Sequence, residues 1–371
     1  MAETGIRPFI PWAEPRYWGN EEAYALDALR SQWISGGPYV DRLERDISAF
    51  CGSPHVLATS NGTTAIQGAF LGIGLGAGDE IVVPGFTFMA AANIALHMGA
   101  VPVFADVDPD TWLVTAETIE KVLTERTKAI VPVHTYGNVC DMQPILELAA
   151  ARSIFVIEDA AEALGSLYRD RQAGTIAEIG TYSFHATKVI TTGEGGAIAT
   201  RIPEIAERIA LYRSHGVKSR RYFHDVPGHN FRLTNLQAAI GCAQLEQVDA
   251  LIEARRRVYR SYCEAIGNVA GVRLQTMTPD CEPIVWALAV ALDPRAFPQG
   301  RDAVIEAMRA KGIETRPGFY AASEMAHIYG PQDLPVATAI GRSVISLPSS
   351  PTVTDAEIAH IVAALADAAT G

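Results

Sequence analysis

Three short stretches place chemically capable side chains directly after apolar runs. The first, "TSNGTTA" (59–65), has the form of a strand, a glycine turn and a helix start. Gly62, Thr63 and Thr64 would present free backbone N–H groups and hydroxyls at the positive end of that helix, which suits a phosphate. Ser60 and Asn61 could equally do no more than cap it. The second, "FVIEDAAEALG", ends an apolar run on Glu158 and Asp159. A buried carboxylate is costly without a cation or hydrogen-bond donors, so it needs a partner. Glu162 follows Asp159 by three residues and would share its side of a helical turn. The plainer reading of Asp159 is a helix cap. The third, "TYSFHATKVITTGEGGAIAT", carries Ser183, His185 and Lys188 past a strand-like run. A solvated surface lysine is the commonplace reading of Lys188. A phosphate-cradling P-loop is excluded by order: its lysine follows the second glycine, and here the lysine precedes the glycines. "GEGG" reads instead as a sharp turn into the next strand.

Together the three stretches match the needs of one cofactor. Pyridoxal 5′-phosphate takes a cup for its phosphate, a carboxylate against its pyridinium nitrogen, and a lysine for a Schiff base. The carboxylate keeps the ring nitrogen protonated and so makes the ring an electron sink. Asp159 and Lys188 stand about one βαβ excursion apart, which can bring both to one sheet edge. No clustered histidines or C-x-x-C pair point to a metal.

The elements that must position these residues show in the pattern. Between about residues 55 and 200, strand-like "HVLATS", "EIVVPG", "VPVFADV", "KAIVPVH", "IFVIEDA" and "TYSF" alternate with helical runs such as "TTAIQGAFLGIGL", "MAAANIALHMG" and "TAETIEKVLTE". That alternation indicates βαβ units and a mainly parallel sheet. The apolar runs are continuous, as in strands covered on both faces. In such sheets ligands sit at the carboxyl ends of strands, where all three stretches place their polar residues. From Thr234 the pattern changes to a long helix or a pair, with Arg255, Arg256 and Arg257 on a face that reads as solvated or inter-subunit. Beyond it come "PIVWALAVAL" as a strand, a helix near 301–311 and a closing helix from Thr354. The expected division is a large domain of residues 1–247, N-terminal segment included, and a small domain of 248–371.

Composition narrows the function classes. The 371 residues are 49% hydrophobic and 19% charged, which fits a globular chain. A net charge of −12 excludes an extended nucleic-acid footprint. No apolar run approaches the roughly 18–20 residues of a membrane span, and the first residues lack a secretory pattern. The five cysteines are scattered, as idle thiols in a reducing cytoplasm would be. A cytoplasmic protein is expected, with neither a membrane nor a nucleic-acid partner.

The ordered set "WISGGPYVDRLE", "SNGTTA", "GDEIVVPGFTF", "VPVFADVDPDTW", "IEDAAEALGS", "SFHATKVITTGEGGAIAT", "GHNFRLTNLQAAIG" and "GIETRPGFY" resembles the sugar aminotransferases of the DegT/DnrJ/EryC1/StrS family over nearly the whole chain. The resemblance implies the α/β fold-type I architecture of aspartate aminotransferase, a large mainly parallel sheet with a smaller C-terminal α+β domain. It implies Lys188 as the Schiff-base lysine, Asp159 at the pyridine nitrogen, Glu162 near the cofactor's phenolic oxygen and Phe88 stacked on the ring. Gly62, Thr63 and Ser183 match phosphate contacts. Asn230 matches an asparagine that reaches the phosphate of a neighbouring subunit, so a homodimer with shared sites is expected. His185 falls beside cofactor and sugar, and Arg316 and Tyr320 are candidates for the sugar or the donor carboxylate. Relatives with histidine in place of the lysine dehydrate deoxysugars. Lys188 is kept here, which implies a true aminotransferase with L-glutamate as donor and a nucleotide-linked keto-deoxysugar as acceptor. "RRYFHDVPGHNFR" and "TTGEGG" are most like members that aminate C4 of GDP-4-keto-6-deoxymannose; members that aminate 3-keto sugars share similar stretches. A dehydratase and a non-catalytic regulatory relative are the remaining readings. Lys218, Arg220 and Arg221 could meet a nucleotide diphosphate or form a solvated loop.

Overall fold

In a computed structural model, which describes residues 6–267 and 269–369, a seven-stranded sheet carries most of the candidate residues. In chain order the strands are β1 (His55–Thr59), β2 (Glu80–Pro84), β3 (Val101–Ala105), β4 (Thr127–Ile130) and β5 (Phe155–Asp159). A small hairpin of β6 (Leu167–Tyr168) and β7 (Arg171–Gln172) follows, then β8 (Ile179–Ser183) and β9 (Gly196–Thr200). The sheet order is β1-β9-β8-β5-β4-β2-β3. β8, β5, β4, β2 and β3 run parallel, and β9 is antiparallel to both of its neighbours. Ile81, Val82, Val83, Val156, Ile157 and Ile198 are buried; β-branched side chains pack well on a pleated surface covered on both sides.

Helices α1 (Glu21–Arg30), α2 (Pro38–Cys51), α3 (Gly62–Gly72), α4 (Ala90–His97), α5 (Ala116–Glu120), α6 (Met142–Arg152), α7 (Pro203–Arg213) and α8 (Asn235–Glu246) belong to this half. α3 approaches the sheet closely: a Cβ on Gly68 would lie 2.6 Å from Ile198 Cδ1. That approach sets the first turn of α3 beside the end of β8. "TAETIEKVLTE" is helical only over α5, and "KAIVPVH" leaves the ladder near Pro132, which has no N–H to donate.

The long helical pattern after Thr234 is a pair. α8 ends at Glu246, and α9 (Val248–Ile266) begins after Gln247. Val248, Leu251 and Ile252 of α9 join the main core, whereas Val258, Tyr262 and Ile266 join a second one. The second core lies on a four-stranded antiparallel sheet, in the order β10-β12-β14-β13. Its strands are β10 (Val272–Leu274), β12 (Leu288–Leu292), β13 (Arg316–Pro317) and β14 (Val344–Leu347); β11 (Cys281–Glu282) pairs with β6 instead. Helices Arg301–Ala310 and Asp355–Ala368 pack there, and Ile10 of the N-terminal segment joins them. "PIVWALAVAL" is a strand only from Leu288, because the Trp286 N–H bonds the Tyr136 carbonyl (3.1 Å). Among the described residues no helix is long and apolar enough to cross a membrane.

One expectation for this region is corrected. Arg256 and Arg257 are partly exposed, but Arg255 is buried. It falls on the same side of α9 as Leu251, Ile252 and Val258, and helical periodicity turns it inward.

Candidate active site

The first turn of α3 forms one wall of a pocket. Asn61 caps the helix: its Oδ1 accepts the Thr64 N–H at 2.8 Å, and Thr64 Oγ1 accepts the Asn61 N–H in return. Capping and ligand binding are compatible here, because Gly62 and Thr63 still open the helix with N–H groups that have no intrahelical carbonyl. A Cβ on Gly62 would stand 2.9 Å from Ser183 Cβ. Glycine is therefore what lets the first turn of α3 pack directly against Ser183 at the end of β8.

The paired carboxylates at the end of β5 divide by strand alternation. Glu158 faces away from the pocket and is a structural hub. Its Oε1 accepts the N–H groups of Ile176 and Ala177, both at 2.6 Å, and its Oε2 accepts that of Gly174 at 2.8 Å. His134 Nε2 lies 3.0 Å from the same oxygen, and His134 Nδ1 accepts the Cys140 N–H, so Nε2 carries the proton. Glu158→Ala is expected to lower unfolding stability by about 3–5 kcal/mol, since it strands several buried donors. Urea unfolding monitored by circular dichroism checks this, and a loss below about 1 kcal/mol would contradict it.

Asp159 faces the pocket. No helix follows it, so it is not a helix cap; its Oδ1 accepts one N–H, from Ala161, at 3.1 Å. Burial pushes its carboxyl above the ordinary range, and the Ala161 bond, Lys188 and His134 only partly oppose this. Glu162 is brought to the same pocket by the turn after β5. Its Oε2 accepts the Tyr136 N–H at 2.8 Å, and its Oε1 lies 3.4 Å from Lys188 Nζ. Burial raises the Glu162 carboxyl and lowers the Lys188 amine, each toward its neutral form. Lys188 is no surface lysine: its side chain is 13% exposed, and Nζ stands 3.6 Å from the centre of the Trp286 ring.

The pocket has a volume of about 430 Å³, and Gly62, Thr63, Phe88, Asp159, Glu162, Ser183, His185 and Lys188 all line it. Phe88 stands at the rim, 62% exposed, edge-on to Phe319 with centroids 6.1 Å apart. Ser183 Oγ accepts the His185 N–H (3.3 Å), and His185 Nδ1 meets Thr187 Oγ1 at 3.1 Å. "GEGG" does act as a turn: Gly193 has φ +81° and Gly196 opens β9.

Three candidate residues stand outside the lining. Asn230 is exposed, and its Oδ1 accepts Arg232 Nε at 3.1 Å. Arg316 pairs with Glu314 at 2.5 Å. Tyr320 is 49% exposed beneath the Arg301 guanidinium, 5.0 Å away. Conversely, Trp12, Glu194, Trp286 and Phe319 line the pocket without having been singled out in the sequence. Two of them, Trp286 and Phe319, come from the chain beyond α9, and Trp12 from the N-terminal segment. Nothing local in "PW", "PIVW" or "GFY" marks these aromatics as pocket walls.

The residues present fit pyridoxal 5′-phosphate. A buried carboxylate without an ion-pair partner among the described residues suits a ring N–H⁺, the free N–H groups at Gly62 and Thr63 suit a phosphate, and the amine of Lys188 lies in the same pocket. Among the described residues no group of three or more His, Cys, Asp or Glu is placed to hold a metal.

Comparison with known proteins agrees with this chemistry. The model of the DegT/DnrJ/EryC1/StrS aminotransferase family matches residues 17–366. A GDP-perosamine synthase from Caulobacter vibrioides is 41% identical over 364 residues, covering 96% of this chain and 98% of that protein. A GDP-perosamine synthase from Escherichia coli O157:H7 is 37% identical over 357 residues, covering 95% and 96%. Among solved structures, the aminotransferase TlmJ from Streptoalloteichus hindustanus superposes with a TM-score of 0.91 at 29% identity, over 97% of this chain and 98% of that one.

Proposed function

This chain belongs to the DegT/DnrJ/EryC1/StrS aminotransferase family, and from that premise we propose that it moves an amino group from L-glutamate to C4 of GDP-4-keto-6-deoxymannose, giving GDP-perosamine. It is a pyridoxal-phosphate-dependent transaminase acting on a nucleotide-linked sugar. The observation that carries the residue assignment is the meeting of the Lys188 amine, the Asp159 carboxylate and the open N-terminus of α3 in one pocket. The nucleotide and the position aminated follow the synthases that match over nearly their full length.

In this reading Lys188 is the point of attachment for the cofactor, Asp159 holds its ring nitrogen, and Gly62, Thr63 and Ser183 hold its phosphate. When bound, the cofactor supplies a protonated ring that stores the electron pair released at the donor carbon. Lys188 Nζ would be the group that takes up and returns the proton of the donor Cα. Burial shifts this amine toward its neutral form, the form a general base requires. Glu162 holds Nζ on the pocket side while its other oxygen stays fixed by the Tyr136 N–H. Trp286 and Phe319 wall the pocket, and Phe88 at the rim would stack on the cofactor ring.

We assign the cofactor unit to the chain before Val248, where α9 begins, and the smaller domain to the chain after it. The active unit in this reading is a homodimer: Asn230 is solvent-exposed and outside its own pocket, as a residue destined for a second copy would be. His185 sits at the pocket rim, open to the sugar. Arg316 and Tyr320 are assigned to contact with the sugar or the donor carboxylate. The five cysteines are all free, and the cytoplasm is the compartment proposed.

Gly62→Ala is expected to weaken cofactor binding roughly tenfold or more, because its Cβ would stand 2.9 Å from Ser183 Cβ and push the first turn of α3 off β8, misplacing charge-assisted N–H contacts. Absorbance titration with cofactor checks it; unchanged affinity would remove the α3 N-terminus from the phosphate site. The overall reading is tested by incubating the protein with L-glutamate and a panel of GDP- and dTDP-linked 3- and 4-keto sugars, with products identified by mass spectrometry and NMR. Amination of the GDP-linked 4-keto sugar is expected. Amination confined to a 3-keto sugar, or dehydration without nitrogen transfer, would overturn it.

A further inference from the structure

Behind the pocket, Lys188 is held by contacts around Trp286 and Arg255, and the reaction described above gives Arg255 no part. The Trp286 indole N–H donates to the Thr187 carbonyl at 2.7 Å, and its ring face lies under Lys188 Nζ. The Trp286 backbone N–H donates to the Tyr136 carbonyl, and the Tyr136 N–H donates to Glu162, which in turn meets Nζ. Lys188, Glu162, Tyr136 and Trp286 thus close a ring of contacts around one amine. The Tyr136 ring stacks parallel to Trp286 (6.5 Å, 11°), and Trp12 meets it edge-on at 5.7 Å, so the indole cannot tilt. Beneath the ring, buried Arg255 donates through Nη1 to the Trp286 carbonyl at 2.9 Å and through Nη2 to the Lys188 carbonyl at 3.3 Å. No ion pair neutralises it among the described residues, and its Nε has no partner.

We propose that Trp286 is the seat of the Lys188 amine whenever it is not joined to cofactor, and that Arg255 is a positioning residue which ties the Trp286 and Lys188 backbones together. An aromatic face attracts an ammonium in a desolvated site, whereas a buried, unpaired guanidinium repels one. The two act on the amine in opposite directions. The seat keeps Nζ within reach of the reacting carbon after release, and the cation behind it keeps the amine ready to lose its proton. This rests on Lys188 being the reacting lysine and goes beyond it by assigning Trp286 and Arg255.

Glu162 and Asp159 at the end of β5 and Arg255 on α9 act on the Lys188 amine, and His185 on its own loop and Glu194 line the same pocket. Glu14 and Arg16 of the N-terminal segment line a small cavity beside it. Burial is the largest influence on the amine and lowers it; Glu162 and Asp159 raise it, and Arg255 lowers it further.

The test uses the full-length chain freed of cofactor and no substrate, so it can fail or succeed independently of the sugar panel. Trace acylation of Lys188 is followed by peptide mass spectrometry as a function of pH, and the midpoint of the profile is read, which a change in access alone does not move. Trp286→Leu is expected to shift the midpoint down, with the reactive fraction at a fixed pH rising roughly two- to thirtyfold. Trp286→Phe keeps an aromatic face and should shift it less. Arg255→Met is expected to shift it up. Midpoints that stay in place, or that move in the same direction in Trp286→Leu and Arg255→Met, would overturn the proposal. Should Arg255→Met fail to fold by circular dichroism, an unmoved midpoint in Trp286→Leu is sufficient to overturn it.

Discussion

Lys188→Ala is expected to reduce transamination by about 10⁴-fold or more, because one substitution removes both the covalent anchor and the proton carrier. It should also abolish the cofactor adduct that borohydride reduction otherwise fixes to the peptide containing Lys188. The chain should still fold. Lys188 makes one polar side-chain contact, to Glu162 at 3.4 Å, and Glu162 keeps its bond from the Tyr136 N–H. Burial raises the Glu162 carboxyl and lowers the Lys188 amine, and the Tyr136 bond to Glu162 does not depend on the amine. The measurements are the initial rate with L-glutamate and keto sugar, intact-protein mass after reduction, and thermal unfolding. Turnover within about a hundredfold of the parent, in a protein that carries no adduct, would sink the assignment.

Asp159→Asn carries the second largest effect, and it separates activity from stability. A neutral amide cannot hold the ring nitrogen protonated, so the electron sink fails. The expected loss in kcat is about 10²–10³-fold, the range for removal of one preorganised electrostatic partner. Attachment at Lys188 should survive, which distinguishes this variant from Lys188→Ala. In the cofactor-free chain the sign is different. The Asp159 carboxyl is raised above its ordinary 3.8 by burial. A raised group binds more protons folded than unfolded, so its contribution to stability is present at low pH and is lost as pH rises through the folded value. Glu162 is raised from 4.5 for the same main cause and adds to the same trend. Near neutral pH, Asn at 159 relieves a desolvated carboxylate, and cofactor-free Asp159→Asn should melt no lower than the parent. A kcat within threefold of the parent would refute the role; a large drop in melting temperature without cofactor would refute the electrostatic account.

Much of the site was legible in the chain because its chemistry sits where apolar runs stop. "FVIED" ends on a carboxylate that a parallel strand must deliver to the sheet edge, and "SNGTTA" opens a helix on a glycine. The order of lysine and glycines in "KVITTGEGG" alone removed the phosphate-loop reading. Helical periodicity also held the information that Arg255 is buried, since it falls on the side of Leu251 and Val258. A run of three arginines masked it, because charge composition suggests an outer face whatever the phase. The roles of Glu158 and Asp159 are a different case. Adjacent carboxylates on a strand must point to opposite faces, but which face carries the pocket depends on where β8 and α3 lie.

The residues left outside the pocket show the same limit. Asn230, Arg316 and Tyr320 occupy motif-like stretches, yet in a single chain they stand at the surface, and motif position says nothing about which copy or domain they serve. By itself the sequence determined the alternation that builds a parallel sheet, and the types and order of the residues proposed to meet a pyridoxal cofactor, Lys188 among them. Only the tertiary structure decided what surrounds that lysine. Trp12, Trp286, Phe319 and Arg255 come from the N-terminal segment, from the chain just before β12 and just after β13, and from α9, which contributes to both cores. Contacts between positions so distant in the chain are set by how two cores pack together, and no local spacing encodes that.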